Sequence, residues 1–267
     1  DQWAGTGGGG ALRLRDGREV ERVTFEGSAG GLRSNHVLAV FVDREGVVWF
    51  GTDRGACRFD PLSPRVDTVG SEPESGFVRA VLADALGRAW CGTNRGLFVE
   101  PTPGAGWRPV DEVGPQAVYA LADAGGGWIF AGTSGGLFAL DGDGRAAAVA
   151  GETEAVRAVR TFRGVLYVAR FDRGVERLEG DRLVPVWPPD GVDARWRDVV
   201  SLSADGDRTL WIGTAGSGAF GFDGAAAGRG ELEPLASDVV WGVDRGPDGA
   251  LWVATGRGLF VVGSAGV

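Results

Sequence analysis

Short apolar runs alternate along the chain with polar, glycine-rich breaks. Runs of Val, Ala, Phe and Trp are bounded by Gly, Asp and Asn, as at Val37–Asp43 and Val48–Thr52. This pattern is typical of β-strands joined by tight turns. No window holds a helical apolar stripe long enough to compete, so the sequence predicts an all-β protein.

One phrase recurs along the chain. An apolar strand is followed by Asp-x-x-Gly, then by Trp-x-Gly-Thr, and then by a Gly-Leu-Phe segment. The motif glycine, or the alanine that replaces it, falls at Gly5, Gly51, Gly92, Gly132, Ala169, Gly213 and Ala254. These positions are separated by roughly 37 to 46 residues, which is the repeat length of a propeller blade.

Each complete copy accounts for four strands. The second copy predicts strands at Val37–Asp43, Val48–Thr52, Ala56–Asp60 and Val66–Val69. Because four short antiparallel strands bury both faces only by stacking on neighbours, we predict a seven-bladed β-propeller of four-stranded antiparallel blades, with six blades as the main alternative. The prediction is one domain over 1–267, with blades at 1–27, 32–70, 77–110, 117–150, 155–187, 196–235 and 238–267.

The two end copies are incomplete. The first begins directly at its second strand, and the last has no outer strand after Val262. Either the two ends pair with each other, or a flanking segment supplies a strand.

The recurring residues have structural roles. Trp side chains of the motif, such as Trp90, are predicted to bury large apolar areas between blades. The turn Asp43–Gly46 predicts a tight hairpin in which Gly has a positive φ, and the motif Thr is expected to hydrogen-bond at its strand end. Cys57 and Cys91 are predicted to be small buried apolar side chains.

Three segments carry a resemblance to a known family. Gly31–Val37, Asp43–Gly46 with Trp49–Thr52, and Leu210–Thr214 resemble the two-component regulator propeller repeat, in register along nearly the whole chain. The resemblance implies a seven-bladed propeller that forms the extracytoplasmic ligand-sensing part of bacterial signalling proteins, often histidine kinases. A periplasmic or extracellular location follows from it, with signalling domains of a longer parent protein as partners.

The fifth copy departs from the family pattern. Ala169-Arg170 replaces Gly-Thr, and the turn that follows reads Phe171–Gly174. This departure suggests a local specialisation.

Composition excludes several classes of protein. The formal net charge is -9, from 27 basic and 36 acidic residues in 267, which argues against nucleic-acid binding. No apolar run is long enough for a membrane helix, so we expect no membrane insertion by this segment. With one His and no Cys-x-x-Cys pair, no metal site and no cofactor are expected. We expect the isolated chain to be a monomer.

The candidate binding residues are those in which the copies differ. Propeller ligands generally bind over the central channel, where the inner strands begin, and loops on a rigid scaffold carry the chemistry. The second position of the aligned inner strands holds Leu38, Arg79, Tyr119, Arg157, Arg197 and Trp241. Nearby turns and loops add Arg54, Arg95, Arg173, Arg257 and His36, with Asn35 and Gln116.

Two interpretations of these residues remain open. Arg forks suit carboxylate or phosphate, and aromatic faces suit sugars or planar rings. The first interpretation is therefore a non-catalytic sensor that binds a small anionic or carbohydrate-like molecule at the channel mouth. The second is that the Arg side chains pair with Asp and Glu of adjacent blades and fix the ring.

Two alternative functions also remain. The chain is similar in rhythm to streptogramin-lyase-type propellers, but those enzymes use a His with acidic and metal partners, and His36 is the single histidine here. The other alternative is a scaffold for protein–protein interaction. No residue is assigned a catalytic role.

Overall fold

A computed structural model describes residues 1–15, 18–29, 31–60, 65–66, 76–149, 153–235, 238–246 and 249–263. The fold is an all-β, seven-bladed β-propeller of small antiparallel sheets with three or four strands each. No α-helix occurs in the described residues. The predicted fold class is therefore confirmed, and the six-bladed alternative is wrong. The chain divides into two compact units, Asp1–Ala148 and Val149–Val267, and the single-domain assignment stays a prediction.

The first unit contains four sheets, ordered β1-β2-β3, β4-β5-β6-β7, β8-β9-β10-β11 and β12-β13-β14-β15. Their strands are β1 (Gln2–Gly5), β2 (Ala11–Arg15), β3 (Arg18–Val23), β4 (Val37–Val42), β5 (Val48–Thr52), β6 (Gly55–Phe59), β7 (Arg65–Val66), β8 (Val78–Ala83), β9 (Ala89–Thr93), β10 (Gly96–Glu100), β11 (Arg108–Pro109), β12 (Val118–Gly125), β13 (Trp128–Thr133), β14 (Gly136–Leu140) and β15 (Ala146–Ala148).

The second unit contains three sheets, ordered β16-β17-β18-β19, β20-β21-β22-β23 and β24-β25-β26. Their strands are β16 (Val156–Phe162), β17 (Val165–Arg170), β18 (Gly174–Glu179), β19 (Arg182–Trp187), β20 (Val199–Asp205), β21 (Thr209–Thr214), β22 (Ala219–Phe222), β23 (Ala227–Gly228), β24 (Val240–Arg245), β25 (Leu251–Thr255) and β26 (Gly258–Val262). Short 3₁₀ helices occupy Ala194–Arg197 and Gly230–Leu235.

The strand predictions hold with small differences at the ends. The first and last sheets each have three strands among the described residues, as the incomplete end copies indicated. The outer strand of the second sheet begins at Arg65, and the predicted remainder at 67–69 lies outside the described residues.

The Asp-x-x-Gly turns form as predicted. At the first of them, Asp43 Oδ1 accepts hydrogen bonds from the backbone N–H groups of Glu45 and Val47, both at 2.9 Å. Asp43 Oδ2 accepts a further bond from Trp49 Nε1 at 3.0 Å. Gly46 has a φ of 83°, a left-handed value that favours glycine. One Asp thus joins the turn to the core.

The motif Thr completes the following turn. Thr52 Oγ1 donates to the Gly55 carbonyl at 2.7 Å and accepts from the Arg54 backbone N–H at 3.1 Å. The same pair of bonds recurs at Thr93, Thr133, Thr214 and Thr255. These bonds confirm the predicted role of the motif Thr and fix the turn between the second and third strands.

The motif glycine lets neighbouring blades approach closely. A Cβ added at Gly92 would lie 2.7 Å from Val118 Cγ1, in the next inner strand. Trp90 is 1% exposed and packs in a buried cluster with Val118. Cys57 and Cys91 are also buried, as predicted. The recurring Trp and Gly of this repeat therefore pack one blade against the next.

Candidate functional site

Each complete inner strand carries a β-bulge at its second residue. In β8, Val78 pairs with Thr93 and Ala80 pairs with Gly92, so Arg79 has no partner in the ladder. The equivalent bulge residues of the six inner strands are Leu38, Arg79, Tyr119, Arg157, Val200 and Trp241. A bulge redirects the extra side chain out of the sheet. This position can therefore vary without disturbing the packing between blades.

The alignment that placed Arg197 in this set is wrong by three residues. Arg197 ends the 3₁₀ helix Ala194–Arg197, and Val200 occupies the bulge. Asp193 caps this helix by accepting a hydrogen bond from the Arg195 backbone N–H at 3.0 Å. The helical turn delays the start of β20, which apolar spacing alone did not indicate.

Arg79 and Tyr119 lie together in the first unit. The Arg79 guanidinium is 5.0 Å from the Phe77 ring centroid and 5.6 Å from that of Tyr119. Its Nε donates to Asn94 Oδ1 at 2.6 Å. Arg79 is exposed, whereas the other three side chains are partly buried. We call these four residues the Arg79 patch.

The patch is built by two local features. The bulge releases the Arg79 side chain from β8, and the turn after Thr93 presents Asn94 beside it. A bond from the Asn94 backbone N–H to the Phe77 carbonyl, 3.3 Å long, links the turn to the start of the inner strand. Sequence analysis identified Arg79 and Tyr119 but did not include Phe77 and Asn94. Both could have been found from their places in the sequence, because Phe77 directly precedes the inner strand and Asn94 directly follows Gly-Thr.

The other predicted residues of the first unit lie at equivalent turns. Arg54 and Arg95 are exposed, and their backbone N–H groups donate to the hydroxyls of Thr52 and Thr93. Gln116 is half-buried, and its Oε1 accepts a hydrogen bond from Thr133 at 3.1 Å.

His36 lies just before β4. Its imidazole Nδ1 is 3.9 Å from Asp53 Oδ2, which is beyond hydrogen-bond distance. The His36 side chain is 59% exposed. A general base is normally oriented by a hydrogen-bonded partner, and this geometry does not provide one. The lyase alternative gains no support from this geometry and stays a prediction.

Arg157 and Arg257, two of the predicted residues in the second unit, have carboxylate partners. Arg157 Nη1 donates to Asp198 Oδ1 at 2.7 Å, and its guanidinium lies 4.4 Å from the Phe171 ring centroid. Arg257 Nη2 donates to Asp238 Oδ2 at 2.6 Å. These contacts support the ion-pair interpretation at both positions.

Arg173 is also ion-paired. Its Nη2 donates to Glu154 Oε1. This hydrogen bond and the charge of Arg173 hold the pKa of Glu154 below its usual range, against a smaller effect of desolvation. Bonding to Glu154 in turn raises the pKa of Arg173. The charge of Arg173 is thus paired with a carboxylate that lies just before β16.

The divergent fifth copy contains a buried ion pair. Arg170, which replaces the motif Thr, is 8% exposed, and Glu176 on β18 is 2% exposed. Arg170 donates from Nε and Nη2 to the two carboxylate oxygens of Glu176, the Nη2 bond being 2.6 Å long. Glu176 was absent from the predicted site. Its sequence signal was weak, because β18 also contains Arg177 and Glu179.

Trp241 is the most exposed of the bulge aromatics, at 60%. Two clefts lie elsewhere. One, of about 180 Å³, is lined by residues including Trp3, Arg13 and Phe59, and one of about 460 Å³ lies beside Trp211. Neither cleft is lined by a predicted binding residue.

Neither a metal-binding cluster nor a membrane-spanning helix occurs in the part of the chain that the structure describes. Within the described ranges, no group of three or more His, Cys, Asp or Glu side chains is arranged to hold a metal ion. In the same ranges, no helix is long and apolar enough to cross a membrane.

Comparisons with known proteins agree with the repeat resemblance. Residues 31–54 match the family model described as two-component regulator propeller, which confirms that resemblance. The match covers these residues alone, within the second of the seven sheets. No curated protein matches the chain.

Solved structures share the fold. The extracellular domain of the hybrid two-component system BT3049 from B. thetaiotaomicron has a TM-score of 0.73 at 19% identity, over 98% of this chain and 37% of that one. The corresponding domain of BT4673 from B. thetaiotaomicron has a TM-score of 0.69 at 18% identity, over 85% and 32%. Virginiamycin B lyase from Staphylococcus aureus has a TM-score of 0.68 at 14% identity, over 85% and 81%. The chain thus spans about a third of the length of the two-component system domains, and these identities show the fold alone.

Proposed function

We propose that this chain is a non-catalytic sensor module that binds a small anionic or carbohydrate-like ligand outside the cytoplasm. The repeat match and the likeness to extracellular domains of two-component systems support the location and the sensing role. The Arg79 patch carries the binding proposal. Signalling domains of a longer parent protein would receive the output.

The electrostatic setting favours an anion at this patch. The chain has a formal net charge of -9, yet Arg79 is exposed and no described carboxylate pairs with it. A local cation on an acidic protein concentrates anions at its own position. Its neighbours Phe77 and Tyr119 add apolar surface, which helps to exclude water from a bound molecule.

A thermal-shift screen of neutral sugars, uronates and organic acids tests the proposal. A ligand present at one hundred times its Kd stabilises the folded state by about 2.7 kcal/mol, which corresponds to roughly 5–10 °C in Tm for a chain of this size. We expect at least one compound to raise the Tm, with the rise lost in Arg79→Gln. If no compound of a broad library raises the Tm, this result would count against a sensor of small molecules.

Arg145→Gln is the matched control. Arg145 has a 76% exposed side chain paired with Asp143, and it lies before β15, away from the inner strands. Both variants remove one guanidinium from the same unit. A ligand response that falls equally in both variants would indicate a general charge effect and would contradict binding at the patch.

A further inference from the structure

The Arg79 guanidinium has more donors than its protein partners use. An Arg side chain carries five N–H donors, and the Nε–H of Arg79 is bonded to Asn94. Among the described residues, no acceptor is bonded to either Nη. Asn94 is neutral, so this bond orients the guanidinium without cancelling its charge. The two Nη atoms therefore form an oriented, exposed edge that no described protein acceptor covers.

The aromatic rings beside Arg79 hold the guanidinium. With centroids at 5.0 and 5.6 Å, Phe77 and Tyr119 are both within cation–π range. The ring surface beneath the guanidinium is then not free to stack on a sugar. What the patch offers a ligand is the guanidinium edge, which suits a planar oxyanion.

Two arginines of the second unit show which group binds the Nη atoms of a guanidinium that lies against an aromatic ring. Arg157 occupies the same bulge position and lies over the Phe171 ring, and its Nη1 binds the carboxylate of Asp198 at 2.7 Å. Arg257 likewise lies 5.8 Å from a ring centroid, and its Nη2 binds the carboxylate of Asp238 at 2.6 Å. In both cases a ring supports the guanidinium and a carboxylate lies on Nη.

We infer that Arg79 binds a carboxylate group of the ligand through its two Nη atoms. This inference rests on the proposed function and narrows it to carboxylate-bearing small molecules, which a uronate and an aromatic acid represent in the test below. A neutral sugar would leave the charge of Arg79 unpaired. A charge-assisted, two-point bond is among the stronger polar contacts available to a protein surface.

Titration calorimetry on the full chain tests the ligand class with matched acid and neutral pairs. The probes are glucuronate with glucose, benzoate with benzamide, and inorganic phosphate as a non-carboxylate anion. We expect at least one acid to bind tenfold or more tightly than its neutral partner and more tightly than phosphate. Equal binding within both pairs, tighter binding of phosphate, or no binding of either acid would overturn the inference.

Variants of Arg79 test the two-point contact. Arg79→Gln should weaken carboxylate binding about 10- to 100-fold, as expected for loss of a charged hydrogen bond. Arg79→Lys should recover only part of this, because an ammonium is a point charge without the planar fork. Arg145→Gln should bind like the unmodified chain. Circular dichroism and Tm confirm that each variant is folded.

The outcomes separate this inference from the sensor proposal. If neutral sugars bind as well as acids, the carboxylate contact is wrong while the sensor proposal stands. If Arg79→Gln binds carboxylates normally, both the carboxylate contact and binding at the Arg79 patch are wrong, and only a sensor that binds its ligand elsewhere is left. If the broad thermal-shift screen finds no ligand at all, the sensor proposal itself fails.

Discussion

Replacing Trp90 with Phe removes part of one buried ring system together with one hydrogen bond. Trp90 is 1% exposed, and its Nε1 donates to Asp84 Oδ2 at 2.9 Å. The same carboxylate accepts from Arg88 Nε at 2.6 Å, and its Oδ1 accepts from the backbone N–H of Arg88. Burial raises the pKa of Asp84, but the bonds from Trp90 and Arg88 together outweigh burial and hold the pKa below its usual range.

The structure supplies a matched control for this substitution. Trp252 occupies the same motif position in the last sheet and is 6% exposed. Its Nε1 is buried without a hydrogen-bond partner among the described residues. Phe at position 252 removes similar apolar surface but also removes an unsatisfied donor.

The expected magnitudes differ between the two sites. Loss of ring surface costs about 1–2 kcal/mol at either site. At Trp90 the lost bond to a charged acceptor adds about 1.5–3 kcal/mol, so Trp90→Phe should destabilise by about 2.5–5 kcal/mol. At Trp252, relief of a buried unpaired donor offsets about 1–3 kcal/mol, so Trp252→Phe should be close to neutral.

Urea denaturation followed by far-UV circular dichroism measures both changes in the free energy of unfolding. The m-value should be unchanged, so that the shift in midpoint reports stability. We expect the two variants to differ by about 3 kcal/mol, or roughly 6–12 °C in Tm. Equal destabilisation by both variants would refute the assignment of the difference to the Asp84 hydrogen bond.

Three further predictions follow from packing and charge. Gly92→Ala should lower the free energy of unfolding, measured by urea titration, by about 1–3 kcal/mol, because its Cβ would overlap the next inner strand. Gly142→Ala is the control and should change this free energy little, because the space around Gly142 is open. Glu176→Ala should lower the free energy of unfolding by about 3–5 kcal/mol, because it leaves Arg170 buried without this carboxylate. Adding Arg170→Thr to this variant should restore the stability. A double variant no more stable than Glu176→Ala would contradict the ion-pair explanation. Asp84 has a lowered pKa in the folded state, so its contribution is present above its unfolded pKa of about 3.9 and is lost as the pH falls below that value. Urea midpoints from pH 7 to pH 3 should therefore fall less steeply in Asp84→Asn, and parallel curves would refute this.

Much of the fold could be predicted because the repeat is local. Alternation of apolar runs with Asp-x-x-Gly and Gly-Thr specifies strands and turns within about 25 residues, and each turn closes through bonds between near neighbours, as Asp43 and Thr52 show. Repetition in register then predicted the seven sheets and the incomplete first and last copies.

The candidate site could be predicted only in part. The variation at the second position of the inner strands was visible in the sequence. Its cause is a bulge at Arg79 and the equivalent residues, which appears only in the pairing of strands. The misplacement of Arg197 has the same origin, because a capped 3₁₀ turn shifts the start of β20.

Sequence alone determined the propeller, since each repeat encodes its strands and turns through contacts between neighbouring residues. Tertiary structure decided which arginines are already paired. Arg157 is hydrogen-bonded to Asp198, which lies 41 residues away in the chain. Arg79 instead contacts the neutral amide of Asn94 and the rings of Phe77 and Tyr119. Such pairings depend on how separate blades approach each other in space. The pattern of residues within one blade does not contain that information, so it does not show which arginines are paired with a carboxylate.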